Sequence, residues 1–229
     1  MKQMTTTNNP VPLDSSSIPA FPTHLTELKE EDLVVWVDPL DATREFTEGG
    51  ELLEHVTVLI GISSAGKPIG GVIFQPFLDR CIWAVEDVGV FGLKDRSPNN
   101  PSGVRRYATS RSHLSENVKL CLDAMQPCEM VKLGGSGYKV LCVAEKFVDA
   151  YVYPSLGTKK WDTCAPEAIM RAAGGFVTNI EGDCYDYSAN AEHMNWMGVL
   201  AGFGSAKELA AKVPEACILS VKKKIPQSK

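Results

Sequence analysis

Apolar and polar residues change their pattern abruptly near residue 30. Residues 1–29 hold threonine, serine and proline clusters with little apolar periodicity, and they predict a poorly ordered segment. Residues 33–37 then form a continuous apolar run bounded by charges, which is typical of a buried strand. This predicted strand ends in an Asp-Pro-Leu-Asp turn, and a short helix is expected over residues 42–49.

The pattern of the remaining elements divides the chain into two halves. Short apolar runs separated by proline turns favour a mostly antiparallel sheet first, with strands at residues 56–62, 69–74, 81–85, 90–93 and 105–110 and a helix at 116–125. Strands and helices then alternate, which favours an α/β arrangement. The strands are expected at 130–133, 150–153 and 176–180, one helix at 138–146, and a second helix that ends at residue 173. We therefore expect a poorly ordered segment at 1–29, an α+β half at 30–125 and an α/β half at 126–229.

Composition and charge narrow the class of protein. The 229 residues are 44% hydrophobic, which is enough for a substantial core, and 23 basic against 28 acidic residues leave a net charge of −5. Without a long basic block, this balance argues against a binder of nucleic-acid polymers or membrane surfaces. No apolar run approaches the roughly 18–20 residues of a membrane span, and no signal segment opens the sequence. The seven cysteines are widely spaced and contain no metal or disulfide pattern, so the sequence predicts a cytoplasmic protein with reduced thiols.

The turn after the first strand carries the first candidate chemistry. Asp38 and Asp41 flank Pro39, which stiffens the turn, and Leu40, whose carbonyl can face the same way as both carboxylates. Two carboxylates and a carbonyl form an all-oxygen donor set that suits Mg²⁺, and the N–H groups at the following helix start could cradle a phosphate. The alternative is an ordinary turn with a helix cap, and the spacing alone does not decide between them.

Asp162 carries the second candidate chemistry, where a loop enters a predicted helix and Pro166 lies in its opening turn. Its common role would be to cap that helix. Its alternative role is a third carboxylate for the metal held by the first turn. The local sequence leaves both interpretations open.

Taken together, these motifs resemble the two signature motifs of the inositol monophosphatase superfamily, a group of Mg²⁺-dependent, lithium-sensitive phosphomonoesterases. They are Asp38-Pro39-Leu40-Asp41-x-Thr43 and Trp161-Asp162-x-x-Ala165-Pro166-Glu167. Within the superfamily, the stretches 34–41, 57–62, 109–113 and 159–167 are similar to the bisphosphate nucleotidase branch, and the resemblance covers about residues 29–214. It implies a layered αβαβα sandwich of the inositol monophosphatase and fructose-1,6-bisphosphatase type. It also implies Mg²⁺-dependent hydrolysis of a small molecule, adenosine 3′,5′-bisphosphate, to AMP and phosphate.

The resemblance further implies roles for individual residues. Asp38, Asp41, Asp162 and the Leu40 carbonyl would bind the metal, and Thr43 with Asp41 would activate the nucleophilic water. The substrate would be bound by Ala42, Thr43, Ser110, His113, Gly135, Lys139 and Asp162. Without the resemblance, His113 would be read as a surface histidine and Lys139 as a solvated helix charge.

Ala42 departs from the family pattern, because it stands where glycine is usual between the second aspartate and the threonine. At a positive φ an alanine costs roughly 1–2 kcal/mol, whereas at a helical φ it costs little. We expect a helical φ, because the residue should open a helix.

The second departure concerns residues 1–29, which do not match the family's N-terminal helices, Gly-Glu-Glu metal motif and upstream catalytic aspartate. Glu30 and Glu31 precede a five-residue strand of about 3.3 Å per residue, which places them roughly 17 Å from the turn and too far to replace these groups. The sequence as it stands therefore predicts strongly reduced or absent bisphosphate hydrolysis. An inositol phosphate phosphatase and a catalytically inactive nucleotide-binding remnant are the alternatives.

Overall fold

The computed structural model describes residues 19–98, 100, 102–112 and 114–226, which form two five-stranded sheets. The strands of the first sheet are β1 (Leu33–Asp41), β2 (Thr57–Ser64), β3 (Lys67–Gln75), β4 (Arg80–Val85) and β5 (Gly89–Phe91). Those of the second are β6 (Arg105–Ser110), β7 (Cys128–Leu133), β8 (Ala150–Tyr153), β9 (Gly175–Thr178) and β10 (Val199–Phe203). The helices are α1 (Thr23–Thr26), α2 (Thr43–Glu48), α3 (Glu116–Ala124), α4 (Ser136–Ala144), α5 (Lys160–Ala172), α6 (Ala206–Ala210) and α7 (Glu215–Lys222).

The first sheet is antiparallel, as the sequence predicts, and its strands follow one another in chain order, but the strand at 105–110 is not part of it. Strand β1 runs beyond the predicted apolar segment, because its pairing with β2 continues to Asp41. The register shifts between Asp38, which pairs with Leu59, and Asp41, which pairs with Thr57. This irregularity takes the intervening turn out of the regular ladder.

The second sheet is mixed and has the order β7-β6-β8-β10-β9. Strand β6 is parallel to β7 and β8, whereas β10 is antiparallel to β8 and β9. The chain passes from the first sheet to the second between Phe91 and Arg105, so β6 and α3 belong with the second sheet although the boundary predicted from sequence lies near residue 125. The division into domains stays a prediction.

Helices α4 and α5 lie between the two sheets, and α3, α6 and α7 lie on the outer face of the second. Helix α5 sits directly on the first sheet because two strand positions there are glycine. A Cβ on Gly61 would come within 2.7 Å of the Ala165 nitrogen, and one on Gly71 within 2.5 Å of the Ala165 carbonyl. The described residues thus supply four layers of the expected αβαβα sandwich, and the close seating of α5 fixes the position of its first turn. The opposite face of the first sheet exposes Val35 and Val37.

The predicted disorder of residues 1–29 falls largely outside the described residues, which begin at residue 19. The described part of this segment contains one helical turn, α1, and a short 3₁₀ turn at Glu30–Asp32 follows it. None of the described helices has the length and apolarity needed to cross a lipid bilayer.

Candidate metal and phosphate site

Three carboxylates converge where the end of β1 meets the start of α5. Asp38, Asp41 and Asp162 each offer an oxygen, and these oxygens lie within 4.8 Å of one another. The β1 irregularity presents the first two, and the seating of α5 on β2 and β3 presents the third. Among the described residues this is the only cluster of its kind. The predicted ligand set, including Leu40, therefore lines one pocket.

Asp41 is buried and held by hydrogen bonds from both halves of the chain. Its Oδ1 accepts the N–H groups of Ala42 (2.8 Å) and Ser136 (3.1 Å). Its Oδ2 accepts the Gly137 N–H (2.8 Å) and the Thr57 hydroxyl (3.1 Å). Two of the four donors are backbone amides at the start of α4, where the helix dipole also favours a negative charge. The carboxylate is therefore fixed before any cation binds.

Ala42 does not have the helical φ expected from sequence: its φ is 65° and its ψ 43°, in the left-handed region. The expectation is wrong because the chain must reverse between Asp41, still in the strand, and α2, which begins only at Thr43. Its N–H donates to Asp41, so it is not available to cradle a phosphate as the sequence suggested. An alanine here costs roughly 1–2 kcal/mol relative to an unstrained backbone.

Asp162 fulfils both roles that the sequence left open. Its Oδ2 accepts the Lys159 N–H at 2.6 Å, which caps α5, and the same carboxylate joins the cluster. Burial raises the pKa of Asp162 to about 8, and the negative charge of Asp41 acts in the same direction. Burial and Asp41 also raise the pKa of Asp38. The cluster thus favours protons in the absence of a cation, and a divalent cation would relieve the same repulsion.

Lys139 lies inside the pocket, so its interpretation as a solvated helix charge is wrong. Its ammonium donates to the Gly135 carbonyl at 2.5 Å and lies 5.2 Å from the centre of the Tyr151 ring. Burial lowers the pKa of Lys139, whereas the charges of Asp41 and other carboxylates raise it. The side chain therefore supplies a buried positive charge beside the carboxylates.

Gly135 allows the second half of the chain to approach this closely. Its φ is 64°, and a Cβ there would come within 2.8 Å of Asp41 Oδ2 and 3.1 Å of the Ala42 methyl. Ser110, buried at the end of β6, and Thr43, at the start of α2, line the same pocket. His113 lies outside the described residues. Every described residue that the resemblance implied thus lies around one cavity.

The structure also adds residues that sequence reasoning passed over. Arg111 is one of them: its Nε lies 3.3 Å from the buried Glu45 carboxylate, and its Nη2 bonds Glu48. Hydrogen bonds from Arg44 and from Arg111 lower the pKa of Glu48. This network ties α2, which carries Thr43, to the end of β6. The only local signal was the acidic spacing along α2, which gives no indication of a partner so far along the chain.

Comparison with known proteins agrees with this geometry. A model of the inositol monophosphatase family matches residues 13–217. The chain belongs to the inositol monophosphatase family. This confirms the resemblance carried by the two aspartate motifs.

Two relatives and one solved structure illustrate the family range. The 3′(2′),5′-bisphosphate nucleotidase 1 of Mus musculus is 45% identical over 85% of this chain and 65% of its own length. Inositol monophosphatase 3 of Xenopus laevis is 33% identical over 86% of this chain and 56% of its own length. CysQ from Bacteroides thetaiotaomicron, a bacterial member of the family, superimposes with a TM-score of 0.64 and 26% identity over 75% of this chain and 70% of its own. The layered fold is therefore that of the family, and the chain spans less than two thirds of the length of the mouse relative.

Proposed function

We propose that the chain is a Mg²⁺-dependent phosphatase that hydrolyses adenosine 3′,5′-bisphosphate to AMP and phosphate. The observation that carries the proposal is the convergence of three carboxylates beside a buried lysine and the first amides of α4. The 45% identity to a bisphosphate nucleotidase supports the nucleotide as substrate. A cytoplasmic location and sensitivity to lithium remain predictions from the sequence and the resemblance.

The donor set fits Mg²⁺, because carboxylate and carbonyl oxygens are the ligands this cation prefers. Asp38, Asp41 and Asp162 would hold it together with the Leu40 carbonyl. When bound, Mg²⁺ supplies Lewis-acid polarisation of a phosphate oxygen and lowers the pKa of a coordinated water. Burial and the charge of Asp41 raise the pKa of Asp162, and a bound cation would offset both effects.

The chain's own residues bind and orient the substrate in this proposal. Lys139 supplies a point charge for a phosphate, and the pocket lining formed by Ser110 and Gly135 receives the nucleotide. His113 is proposed to join them by resemblance, and the Ala42 methyl borders the same space. Thr43 would hold the proton of the attacking water through its hydroxyl. A neutral hydroxyl passes that proton on only to a base, and Asp41, which lines the same pocket, is the carboxylate proposed to act with Thr43.

A second candidate substrate is an inositol phosphate. The observation that favours it is the 33% identity to inositol monophosphatase 3 over most of this chain. The third candidate is a nucleotide-binding protein without turnover. It is favoured by the small number of described carboxylates at the site, since the resemblance implies further acidic ligands and a base.

Phosphate release from adenosine 3′,5′-bisphosphate and from inositol 1-phosphate, measured side by side in Mg²⁺, separates these candidates. We expect release from the nucleotide to exceed release from the inositol phosphate, and Asp162→Asn to abolish it. Calorimetry with AMP and Mg²⁺ accompanies the assay. Preference for the inositol phosphate would contradict the proposed substrate, and heat of AMP binding without turnover would contradict the proposed catalysis.

A further inference from the structure

His55 is a buried histidine next to the pocket that the proposed catalysis does not use. It ends the 3₁₀ segment Gly50–His55, between α2 and β2, and only 5% of it is exposed. Its ring stacks on Tyr138 of α4, with centroids 4.5 Å apart. A polar ring buried at the junction of the two halves needs a defined hydrogen-bond role.

The ring has such a role, because Nδ1 accepts the Gly134 N–H at 3.1 Å. An acceptor nitrogen carries no proton, so the ring hydrogen lies on Nε2, which faces the Glu54 carboxylate at 3.5 Å. The hydrogen bond therefore requires the neutral ring in one tautomer. It joins residues of the two halves that are far apart in the sequence.

Gly134 begins the loop at residues 134–137 that approaches Asp41. It has no side chain to anchor it, and a Cβ there would come within 2.2 Å of the Glu45 carboxyl carbon. The loop must therefore be held through its backbone. The next residues depend on its position, because Ser136 and Gly137 donate to Asp41, and Gly135 accepts from Lys139.

We propose that His55 is a positioning residue that fixes the 134–137 loop against Asp41 by accepting the Gly134 N–H. The effect on ligand binding rests on the proposed function of the site. The effect on the loop does not, since the hydrogen bond lies within the protein itself.

The charge of the ring makes this role testable by pH. A protonated ring would turn an N–H toward the Gly134 N–H, so the contact would be lost. Burial lowers the pKa of His55, and the positive charges of Lys139 on α4 and Arg111 after β6 act in the same direction. The negative charges of the neighbouring Glu54 and of Glu45 on α2 raise it. Because the folded-state pKa is depressed, the contact is present above the ordinary histidine pKa and is lost as the pH falls through the folded value.

Two substitutions separate the acceptor from the titration. His55→Asn places an amide oxygen near the position of Nδ1, and this acceptor does not titrate. His55→Leu removes the acceptor and leaves the Gly134 N–H buried without a partner. His24→Asn is the matched control, because His24 is an exposed histidine that pairs with Asp87 on the surface.

The first readout is hydrogen exchange of the Gly134 amide, measured by NMR in the full chain. We expect exchange about tenfold faster in His55→Leu, as for the loss of one buried hydrogen bond, and unchanged in His55→Asn and His24→Asn. Lowering the pH should reduce the protection of this amide in the wild type but not in His55→Asn. The ratio of the two exchange rates at each pH removes the intrinsic effect of pH on amide exchange. Equal protection in the wild type and His55→Leu would overturn the proposal.

The second readout is AMP affinity in Mg²⁺, by calorimetry. We expect AMP to bind about tenfold more weakly to His55→Leu and with wild-type affinity to His55→Asn. The ratio of the wild-type affinity to the His55→Asn affinity should fall at acid pH. The ratio cancels the titration of the metal-binding carboxylates, which both proteins share. If no variant binds AMP, the proposed function fails while the exchange data still decide the role of His55. Binding by His55→Leu as tight as by the wild type would contradict the positioning role.

Discussion

Asp41 and Asp162 lie in one cluster, yet the protein holds them in opposite ways. Asp41 accepts four hydrogen bonds, two of them from the start of α4. Asp162 accepts the Lys159 N–H of its own helix, and its pKa is raised to about 8 by burial and by Asp41. One carboxylate is held in place by donors from both halves of the chain, whereas the other has a raised pKa and would be stabilised by a proton or a cation.

Two carboxylates of one cluster can therefore have different roles. Asp41 is fixed by hydrogen bonds to the protein, and Asp162 responds to the binding of a proton or a cation. Asp41 links both halves of the molecule and contributes to folding, so its charge serves structure as well as chemistry. Asp162 contributes repulsion in the metal-free protein, a cost that natural sites often carry for function. The two residues should therefore respond differently to the same substitution.

Neutralising each carboxylate gives the largest expected contrast. Asp41→Asn places an amide NH₂ against at least one backbone N–H, and we expect the free energy of unfolding of the metal-free protein to fall by about 2–4 kcal/mol. Asp162→Asn keeps an oxygen for the Lys159 N–H and removes repulsion, so the free energy should stay level or rise by about 1 kcal/mol. Urea unfolding measures both.

The exposed residue Asp123 on α3 provides the control, since Asp123→Asn should change stability by less than about 0.5 kcal/mol. Both site variants should lose Mg²⁺ binding in calorimetry. Equal destabilisation by Asp41→Asn and Asp162→Asn would show that the two carboxylates are held alike.

The pH dependence of stability sharpens the same contrast. Because the folded-state pKa of Asp162 is raised from 3.8 to about 8, the folded state binds the proton more tightly than the unfolded chain. The stability contributed by this proton is fully present below about pH 4 and is lost as the pH rises toward 8, at a slope of at most about 1.4 kcal/mol per pH unit. Thermal unfolding of the metal-free protein across this range should show the decline.

The decline should become smaller in Asp162→Asn and in saturating Mg²⁺, which replaces the proton. The part that remains in Asp162→Asn is expected from Asp38, whose pKa is also raised, and from Glu167, whose pKa burial raises to about 7. A profile that is the same in the wild type and in Asp162→Asn would assign the titration to another group.

The smallest expected effect concerns the turn that separates Asp41 from α2. Ala42→Gly relieves the left-handed strain of the alanine but adds backbone freedom to the unfolded chain, so we expect a net gain of about 0.5–1 kcal/mol. Ala124→Gly, at the end of α3, has no such strain to relieve and should lose stability. The urea midpoint distinguishes them, and a loss in Ala42→Gly would mean that the methyl contributes packing that outweighs the strain.

Much of the fold could be predicted from local patterns. The strands at residues 105–110 and 150–153 coincide with β6 and β8, because each is a compact run with clear ends. The antiparallel arrangement of the first sheet followed from its short runs and proline turns. Strand β10 was not predicted, since its central place between β8 and β9 is set by long-range pairing rather than by its own five residues.

The sequence predicted residues of the site only where a recognisable motif contains a side chain that suits metal binding. Asp38, Asp41 and Asp162 were found from their motifs, and the structure brings them together. The φ of Ala42 was missed because it depends on where β1 ends, and that end is set by pairing with β2. The role of Arg111 and the burial of Lys139 depend on contacts between distant segments, which spacing along the chain does not encode.

The hydrogen bonds of Asp41 also bear on the order in which the molecule assembles. The carboxylate belongs to the first strand of the first sheet, but two of its donors are Ser136 and Gly137. During synthesis from the N-terminus the first sheet can form by local hairpins, and this aspartate then has its donors from Ala42 and Thr57 but not those of α4, which emerges from the ribosome later. The carboxylate cluster is therefore completed late in folding, and the proposed Mg²⁺ affinity would report that the two halves have docked.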